Sequence, residues 1–287
     1  MRRAHLAGLF IMVCLAAICY AQVGELRVST NVVAGTASAI NTTGSGSATF
    51  YLVGPGSSFK RDVKLGEEIP LEGRDLHAAG RYLAIVCSDS CRSADFFVAP
   101  AKPVNLIFLV HPSRAPVAQN GIISGVALPF DEFHNLVFAP ASVNFQLTTG
   151  GKTLMSRPVI TQGGVAWFRT NSGKAAGALQ IVAAINDLNV RRVVQKVASD
   201  PCNLRIKGER TKKGIVVETE PVRDCSGNPV PDGTVVTFTA KDGKDTSTVD
   251  APIKQGVARA QIIATGPVVI SAASGVVMGN ELRVGGR

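Results

Sequence analysis

Short segments in which apolar and polar residues alternate run along most of the chain. They are rich in Val, Ile, Phe and Thr, and each is bounded by Gly, Pro, Asn or Asp. This pattern is typical of β-strands buried on one face, because successive side chains of a strand point to opposite sides. Examples are ATFYLV, RYLAIV, ADFFVA, VNLIFLV, SVNFQL, ALQIVAA, GIVVET, TVVTFTA and PVVISAA. Helix signals are nearly absent, so the pattern predicts an all-β chain of antiparallel β-sandwiches.

The pattern also repeats along the chain. The segment DEFHNLVFAPASVNF, which begins at Asp131, shares one Asp, one Asn, two Val and one Phe with DCSGNPVPDGTVVTF, which begins at Asp224. The shared residues keep the same spacing at an offset of 93 residues, and further matches follow at offsets of 92 and 89 residues. A unit of this length is the size of a small domain, so the repeat predicts sandwiches in tandem.

Prolines mark the boundaries that we predict between the sandwiches. Proline lacks an amide donor and restricts the residue before it, so the segments around Pro103 and Pro201 are suitable places for one sandwich to end. The first sandwich matches the other two only weakly. The predicted organisation is a signal peptide over 1–21 and sandwiches over 22–103, 104–199 and 200–287.

The beginning of the chain has the features of an export signal. Arg2 and Arg3 precede an apolar run over 6–18, and Ala21 supplies a small residue for cleavage. We expect an exported protein without a transmembrane segment once the signal is removed. Its location is then the periplasm, the cell surface or the exterior, and the pattern leaves open both this choice and the lipidation of Cys19.

The basic charge of the chain does not indicate a nucleic-acid site. The formal net charge is +9 at pH 7, and +7 remains after the signal peptide is removed. The Lys and Arg residues are scattered rather than clustered, which is typical of a solvated surface. We therefore expect no nucleic acid as a partner. For an exported chain we expect instead a protein or a glycan of the cell envelope or exterior.

Four cysteines remain outside the signal peptide. They form two local pairs, Cys87 with Cys91 and Cys202 with Cys225. An even and low number in an exported chain predicts two disulfides. Zinc binding is the alternative, but structural zinc sites combine closely spaced thiolates and imidazoles, and no His accompanies either pair.

The last part of the chain resembles a known domain family. The run DCSGNPVPDGTVVTFTA, followed by GVARAQIIATGPVVISAASG, is similar to the bacterial immunoglobulin-like (Ig-like) domains of the invasin and intimin type. The match covers roughly 202–284, and 104–198 follows in the same frame with HNLVFAP in place of the turn GNPVPDG. The resemblance implies tandem Ig-like sandwiches that serve as spacers or adhesive surfaces outside the cell.

The sequence offers little for catalysis. His77, His111 and His134 are the only imidazoles after the signal peptide, and the chain has no GxSxG motif. Nucleophilic catalysis needs a Ser or Cys beside a base and an orienting group. We therefore expect no enzyme activity and no cofactor.

The cluster Asp131, Glu132 and His134 has the residue types that a metal site uses. In the second copy Cys225 and Gly227 replace the Glu and the His. The loop thus keeps its shape rather than its ligands between the copies, and we expect no metal there.

Trp167 is the candidate ligand-binding residue. In the aligned strands Trp167 matches Arg259, and Phe168 matches Ala260. If Phe168 lies in the core, Trp167 points outward, where an aromatic ring serves as a contact anchor or a sugar-stacking surface. The alternative is that Trp167 covers a sheet edge or packs on the neighbouring domain.

These patterns together lead to one functional hypothesis and one alternative. The hypothesis is an exported, non-catalytic protein of tandem Ig-like domains that acts as a surface or periplasmic interaction or adhesion module. The alternative is a carbohydrate-binding or envelope-polymer-binding protein that uses Trp167 and scattered Lys and Arg residues. The identity of the partner and the oligomeric state stay open.

Overall fold

The computed structural model describes residues 25–243 and 245–285, which are built almost entirely from β-strands. Within these ranges the strands form three pairs of sheets, and each pair encloses its own core. The prediction of tandem antiparallel Ig-like β-sandwiches is confirmed. No helix in the described part of the chain is long and apolar enough to cross a membrane. The predicted signal peptide, 1–21, lies outside the described residues.

The first sandwich pairs a three-stranded sheet with a five-stranded one. Its strands are β1 (Leu26–Val28), β2 (Val32–Val33), β3 (Ser38–Thr42), β4 (Ser47–Gly54), β5 (Ser57–Lys64), β6 (Glu68–Leu71), β7 (Gly80–Cys87) and β8 (Cys91–Ala99). The sheets have the orders β1-β3-β6 and β2-β8-β7-β4-β5, and β2 runs parallel to β8. A short 3-10 helix, Gly73–Leu76, follows β6.

The second sandwich repeats this arrangement. Its strands are β9 (Asn105–His111), β10 (Arg114–Pro116), β11 (Ile123–Phe130), β12 (Ser142–Thr149), β13 (Lys152–Ile160), β14 (Ala166–Thr170), β15 (Gly177–Ile185) and β16 (Leu188–Val197). The sheets have the orders β9-β11-β14 and β10-β16-β15-β12-β13, and β10 runs parallel to β16.

In the described residues the third sandwich has no counterpart of the parallel strands β2 and β10, and it differs also in its last strands. Its strands are β17 (Ile206–Thr211), β18 (Gly214–Thr219), β19 (Val235–Asp242), β20 (Asp245–Pro252), β21 (Arg259–Ile262), β22 (Val268–Ser274), β23 (Val277–Met278) and β24 (Leu282–Val284). The smaller sheet has the order β17-β18-β21. The larger sheet has the order β20-β19-β22-β23, and β24 also pairs with β22.

The first and second sandwiches share one topology although their sequences match only weakly. Each of the strands β1 to β8 takes the place of one of the strands β9 to β16, in the same order. The physical reason is that a buried position requires an apolar side chain of suitable volume rather than one particular residue. The fold therefore persists where the residue identities do not.

A phenylalanine lies at the centre of each core. Phe50 on β4, Phe145 on β12 and Phe238 on β19 are fully buried. In the second sandwich Phe168 packs against Phe145 with the ring centroids 4.8 Å apart. Phe168 thus points inward, as the alternation of its strand predicts.

The chain divides into two compact units. Among the described residues, one unit contains those up to Lys102 together with Asp131–Asn135, and the other contains the rest. The second and third sandwiches therefore belong to one unit. The sandwich boundaries at 103/104 and 199/200 stay predictions.

Candidate interaction surface

Trp167 lies on the outer face of the three-stranded sheet of the second sandwich. Its side chain is 61% exposed, whereas the adjacent Phe168 is buried. The strand register places Trp167 opposite Val126, and Val126 opposite Leu109. Leu109, Val126 and Trp167 thus form a row of apolar side chains across β9, β11 and β14, which we call the apolar row.

The apolar row is part of a larger apolar face. Ile107 lies opposite Leu128 one step along the same side of the sheet. Leu109 is 59% exposed and Ile107 is 42% exposed, while Leu128 is half-buried. We call the five residues together the apolar face: Ile107, Leu109, Val126, Leu128 and Trp167.

One end of the apolar face is polar and basic. His111, Ser124 and Arg169 form the next row across the same three strands. The Nε of Arg169 donates a hydrogen bond to the carbonyl oxygen of Gly121 at 2.7 Å, which holds the guanidinium at this end. A positive charge therefore borders the apolar face.

The equivalent row of the third sandwich is charged. Lys207 lies opposite Glu218, and Glu218 lies opposite Arg259. The Nζ of Lys207 is 3.1 Å from Oε1 of Glu218, and the Nε of Arg259 donates to Oε2 at 2.8 Å. Hydrogen bonds from Arg259 and then Lys207 hold the pKa of the Glu218 carboxyl below its usual value. We call these three residues the charged row.

The equivalent row of the first sandwich is also polar. Arg27 lies opposite Asn41, and Asn41 lies opposite Glu68, with all three side chains exposed. Among the three sandwiches, only the second has an apolar row at this place. The difference lies in residue chemistry and not in the backbone, because the strand pairing is the same.

A second feature is the turn that joins the third sandwich to the second by hydrogen bonds. The Oδ1 of Asn228 accepts from the amide of Ala176 at 2.9 Å, and its Nδ2 donates to the carbonyl oxygen of Lys174 at 2.7 Å. The Oδ2 of Asp224 accepts from the amide of Ser199 at 3.0 Å. We call these contacts the Asp224–Asn228 clamp.

The aligned Asp131 and Asn135 make the same kinds of contact within the first compact unit. The Oδ1 of Asn135 accepts from the amide of Ala79 at 2.8 Å, and its Nδ2 donates to the carbonyl oxygen of His77 at 2.8 Å. The Oδ2 of Asp131 accepts from the amide of Ala101 at 2.9 Å. The Asp and Asn that recur in the repeat therefore have a structural role beyond their own turn.

Asp131 and Asp224 are buried carboxylates whose ionised form is stabilised. Burial opposes the charge, but hydrogen bonds from the side chain of Asn135 and from backbone amides outweigh it and lower the pKa of Asp131. The pKa of Asp224 is lowered for the same reasons, with Asn228 in the place of Asn135. Both carboxylates are thus ionised at neutral pH and their oxygens are occupied by donors of the chain itself.

The residues between the Asp and the Asn keep a backbone shape rather than a set of ligands. His134 has a φ of 64°, and the aligned Gly227 has a φ of 85°. Glycine adopts this left-handed region without strain, and His does so only uncommonly. In the described ranges no group of three or more His, Cys, Asp or Glu is placed to hold a metal.

Both predicted disulfides form. Cys87 and Cys91 are bonded across the turn between β7 and β8, where the two residues also pair in register. Cys202 and Cys225 are bonded over a sequence separation of 23 residues. Because Cys225 directly follows Asp224, the second disulfide also fixes the position of the clamp.

The sequence predicts Trp167 as a candidate site residue but does not predict its neighbours in the apolar row. Which residues face each other depends on strand register, and register is not a local property of the sequence. A signal was nevertheless present in VNLIFLV. Leu106 and Phe108 of this segment are buried while Ile107 and Leu109 are exposed, so the strand is apolar on both faces.

Several solved structures of bacterial proteins are similar to this chain. The Escherichia coli adhesin FdeC matches 90% of this chain and 96% of its own chain, with 13% identity and a TM-score of 0.59. Yersinia pseudotuberculosis InvD matches 90% of this chain and 95% of its own, with 10% identity and a TM-score of 0.50. Invasin, a bacterial integrin-binding protein, matches 88% of this chain and 58% of its own, with 11% identity and a TM-score of 0.50.

At these identities the likeness shows the fold alone. It confirms the resemblance to the Ig-like domains of the invasin type. No protein-family model matches the chain, and no curated protein sequence matches it. The site must therefore be interpreted from its own residues.

Proposed function

We propose that this chain is an exported, non-catalytic module of tandem Ig-like sandwiches that acts in adhesion or in interaction at the cell envelope. The apolar row carries the proposal, because it exposes Trp167 and Leu109 where the other sandwiches expose polar and charged residues. Exposed apolar patches with a polar border mark interaction sites, and Trp is enriched among the residues that dominate binding. The similar structures of an adhesin and of an integrin-binding protein support the same function.

The Asp224–Asn228 clamp supports the idea of a presenting module. It fastens the third sandwich to the one that carries the apolar row, through hydrogen bonds in which one acceptor is an ionised carboxylate. Charge-assisted hydrogen bonds of this kind are roughly twice as strong as neutral ones. A sandwich held in this way offers its binding face on a stiff support, which reduces the entropy lost on binding.

The disulfides support an exported location. Disulfides persist in oxidising compartments and are rare in the cytosol. Cys87–Cys91 and Cys202–Cys225 are both bonded in the structure, with Cα–Cα distances of 4.1 Å and 4.6 Å. The location that fits is the periplasm, the cell surface or the exterior.

The arrangement of the buried carboxylates supports a non-catalytic role. Asp131 and Asp224 direct both of their oxygens to backbone amides and to Asn side chains, which is a structural use of the charge. A general acid or base needs a carboxyl whose proton can reach a substrate. We expect no turnover in a broad screen with ester, peptide and glycoside substrates.

Adhesion can be measured directly with coated beads. Beads that carry the full mature chain are expected to attach to cultured animal cells or to isolated bacterial envelopes more strongly than beads coated with albumin. Trp167→Ala removes the central exposed ring and is expected to reduce attachment, whereas Ile263→Ala removes an 87% exposed apolar side chain of the third sandwich and is expected to leave it unchanged. Attachment no better than with albumin on every surface would contradict the proposal.

Carbohydrate binding is a second candidate function. Trp167 and Arg169 lie on the same face of β14, so an exposed ring stands beside a charged hydrogen-bond donor. A glycan array tests this candidate, with Trp167→Ala as the control variant. Binding that survives the substitution removes Trp167 from this interpretation, and an array without any signal removes the candidate.

A further inference from the structure

The apolar face lies on the most basic part of the chain. Residues 104–199 contain eight Lys and Arg against three Asp and Glu. Residues 22–103 contain eight against eight, and residues 200–287 contain twelve against ten. Most of the net positive charge of the mature chain therefore belongs to the sandwich that carries the apolar face.

The acidic residues of the second sandwich leave this charge largely uncompensated. Asp131 is buried and its carboxylate is occupied by backbone amides and by Asn135. Arg169 stands exposed at the end of the apolar face, with its Nε bonded to a carbonyl oxygen rather than to a carboxylate. The face thus combines an apolar centre with a positive charge at one end, whereas most of the other Lys and Arg residues of this sandwich lie on its five-stranded sheet.

We propose that the apolar face binds an acidic protein whose contact surface is apolar at its centre and bordered by Asp and Glu. The proposal rests on the proposed function and specifies the class of its partner. Interfaces between proteins have an apolar core, a polar rim and complementary charge, and Trp and Arg are enriched at their centres. The field of a basic sandwich also speeds the encounter with an acidic partner.

A glycan fits the apolar face less well than a protein does. Four of the five residues are aliphatic, namely Ile107, Leu109, Val126 and Leu128, and their side chains offer no hydrogen bond. A site for a polar ligand needs placed polar groups that fix its orientation. The row with His111, Ser124 and Arg169 supplies such groups only at one end of the face.

A second copy of the chain also fits less well. Two basic sandwiches repel each other, and a two-fold contact would bring the same charged border onto itself. A face three strands wide and about six residues long covers roughly 300 Å², at spacings of ~4.8 Å between strands and ~3.3 Å between residues. A stable interface buries roughly 800 Å² per partner. The apolar face is thus the centre of an interface with a larger partner rather than a dimer contact of its own.

The test exchanges the apolar row for the charged row. The variant Leu109→Lys, Val126→Glu and Trp167→Arg gives the second sandwich the residues that the third already carries at this place. It raises the net charge of the second sandwich by one. Simple attraction between charges therefore predicts stronger binding of acidic probes, whereas our proposal predicts weaker binding.

The probe is an array of synthetic peptides of equal length and equal apolar content whose net charge runs from strongly acidic to strongly basic. The mature chain with intact disulfides is expected to bind the acidic members best, and binding is expected to weaken as salt is added. The row-exchange variant is expected to lose about 30-fold in affinity, the size typical of a removed binding centre. The matched control Ile263→Ala is expected to bind like the wild type. Trp167→Ala serves as a second test that alters one exposed side chain only.

Four results would overturn the proposal. The first is binding of acidic peptides that the row exchange does not weaken, and the second is the absence of any peptide bound above a scrambled control. The third is retention of anionic oligosaccharides in place of peptides, which assigns the face to a glycan. The fourth is a concentration-dependent dimer that sedimentation detects in the wild type and not in the variant.

The bead assay separates this proposal from the proposed function. If beads attach through Trp167 but acidic peptides do not bind, the adhesion function stands and the partner class is wrong. If acidic peptides bind but beads attach nowhere, the surface is a protein-binding site and the adhesion function is wrong.

Discussion

The second and third sandwiches carry chemically different residues at the same place on the outer face of their three-stranded sheets. One carries the apolar row, and the other carries the charged row with two ion pairs to one carboxylate. The strand pairing on which the two rows stand is the same in both sandwiches. The backbone at this place therefore accepts either chemistry, so folding does not require the apolar row.

The inner side of the same sandwiches shows the opposite behaviour. Phe145 and Phe238 fill the same place in the two cores. Core positions are close-packed, so even small changes of volume are costly there. The comparison distinguishes residues that the fold requires from residues that are free to serve binding. Each of the following measurements supports or contradicts this distinction.

The largest effect is expected for the buried phenylalanines. Phe145→Ala and Phe238→Ala each leave a cavity in a packed core and are expected to lower the free energy of unfolding by about 3–5 kcal/mol. Urea denaturation followed by circular dichroism measures this loss. The exposed Trp167→Ala is the control, expected to cost far less. A cost for Trp167→Ala equal to that for Phe145→Ala would break the separation between core and binding residues.

The disulfide of the third sandwich gives the next largest effect. Replacing Cys202 and Cys225 together by Ala opens a loop that spans 23 residues and is expected to cost about 3 kcal/mol in the chain-entropy estimate. Trp167 is the single tryptophan of the chain, so its fluorescence reports on the second sandwich. We expect the circular dichroism transition to move to lower denaturant while the tryptophan transition moves less. Equal shifts of both signals would show that the two sandwiches unfold as one.

Acid is expected to lower the stability of the protein by protonating the Asp residues that the two copies share. The pKa of Asp224 is lower in the folded chain than its ordinary value of 3.8. Its stabilising contribution is therefore complete above about pH 4 and is lost as the pH falls through the folded pKa. The thermal unfolding midpoint, measured from neutral to acid pH, is expected to decrease once the pH is lower than 4. The decrease is expected to be less steep in Asp224→Asn.

Asp187→Asn, in an exposed turn, is the matched control for the acid series. It is expected to leave the slope of the wild type unchanged. If the thermal midpoint of the wild type already decreases from pH 7 to pH 5, and that of Asp224→Asn does not, the assignment of a lowered pKa to Asp224 is contradicted.

The smallest effect on stability is expected for the row exchange itself. Leu109 and Trp167 are exposed and Val126 is half-buried, and substitutions away from the core usually change the free energy of unfolding by about 0.5 kcal/mol each. The variant Leu109→Lys, Val126→Glu and Trp167→Arg is therefore expected to stay within about 1 kcal/mol of the wild type, partly because opposite charges face each other across the strands. Calorimetry measures the shift, and a loss as large as that of Phe145→Ala would mean that the row belongs to the core.

The fold was predictable from the sequence because its evidence is local or repeated. Alternation within a strand predicts which of its side chains are buried, and it does so correctly for Phe168 and Trp167. The repeat from Asp131 to Asp224 predicts units of the size of a small domain. The shared topology of the first sandwich was less accessible. Its residues satisfy the same volume and polarity requirements with different side chains, so an alignment of identities detects little.

The candidate site was predictable only in part because its evidence is not local. Trp167 stands out in the sequence as a single residue. That Val126 and Leu109 lie beside it depends on the pairing of β9, β11 and β14. The role of Asn228 was hidden for a similar reason. Its contacts with Ala176 and Lys174 lie more than 50 residues away in sequence, so a local interpretation recognises only the turn.

The disulfide between Cys202 and Cys225 determines which residues of the third sandwich transmit a mechanical force applied along the chain. A covalent bond carries the load directly from one cysteine to the other, so β17 and β18 lie outside the path of the tension. Forced unfolding of this sandwich then releases a length shorter by roughly 80 Å, because about 22 residues at ~3.5 Å each stay behind the bond. The strands that carry Lys207 and Glu218 therefore keep their covalent loop closed under load. Reduction of the disulfide adds the same length to the unfolded sandwich, so the bond sets how far this sandwich extends once force has unfolded it.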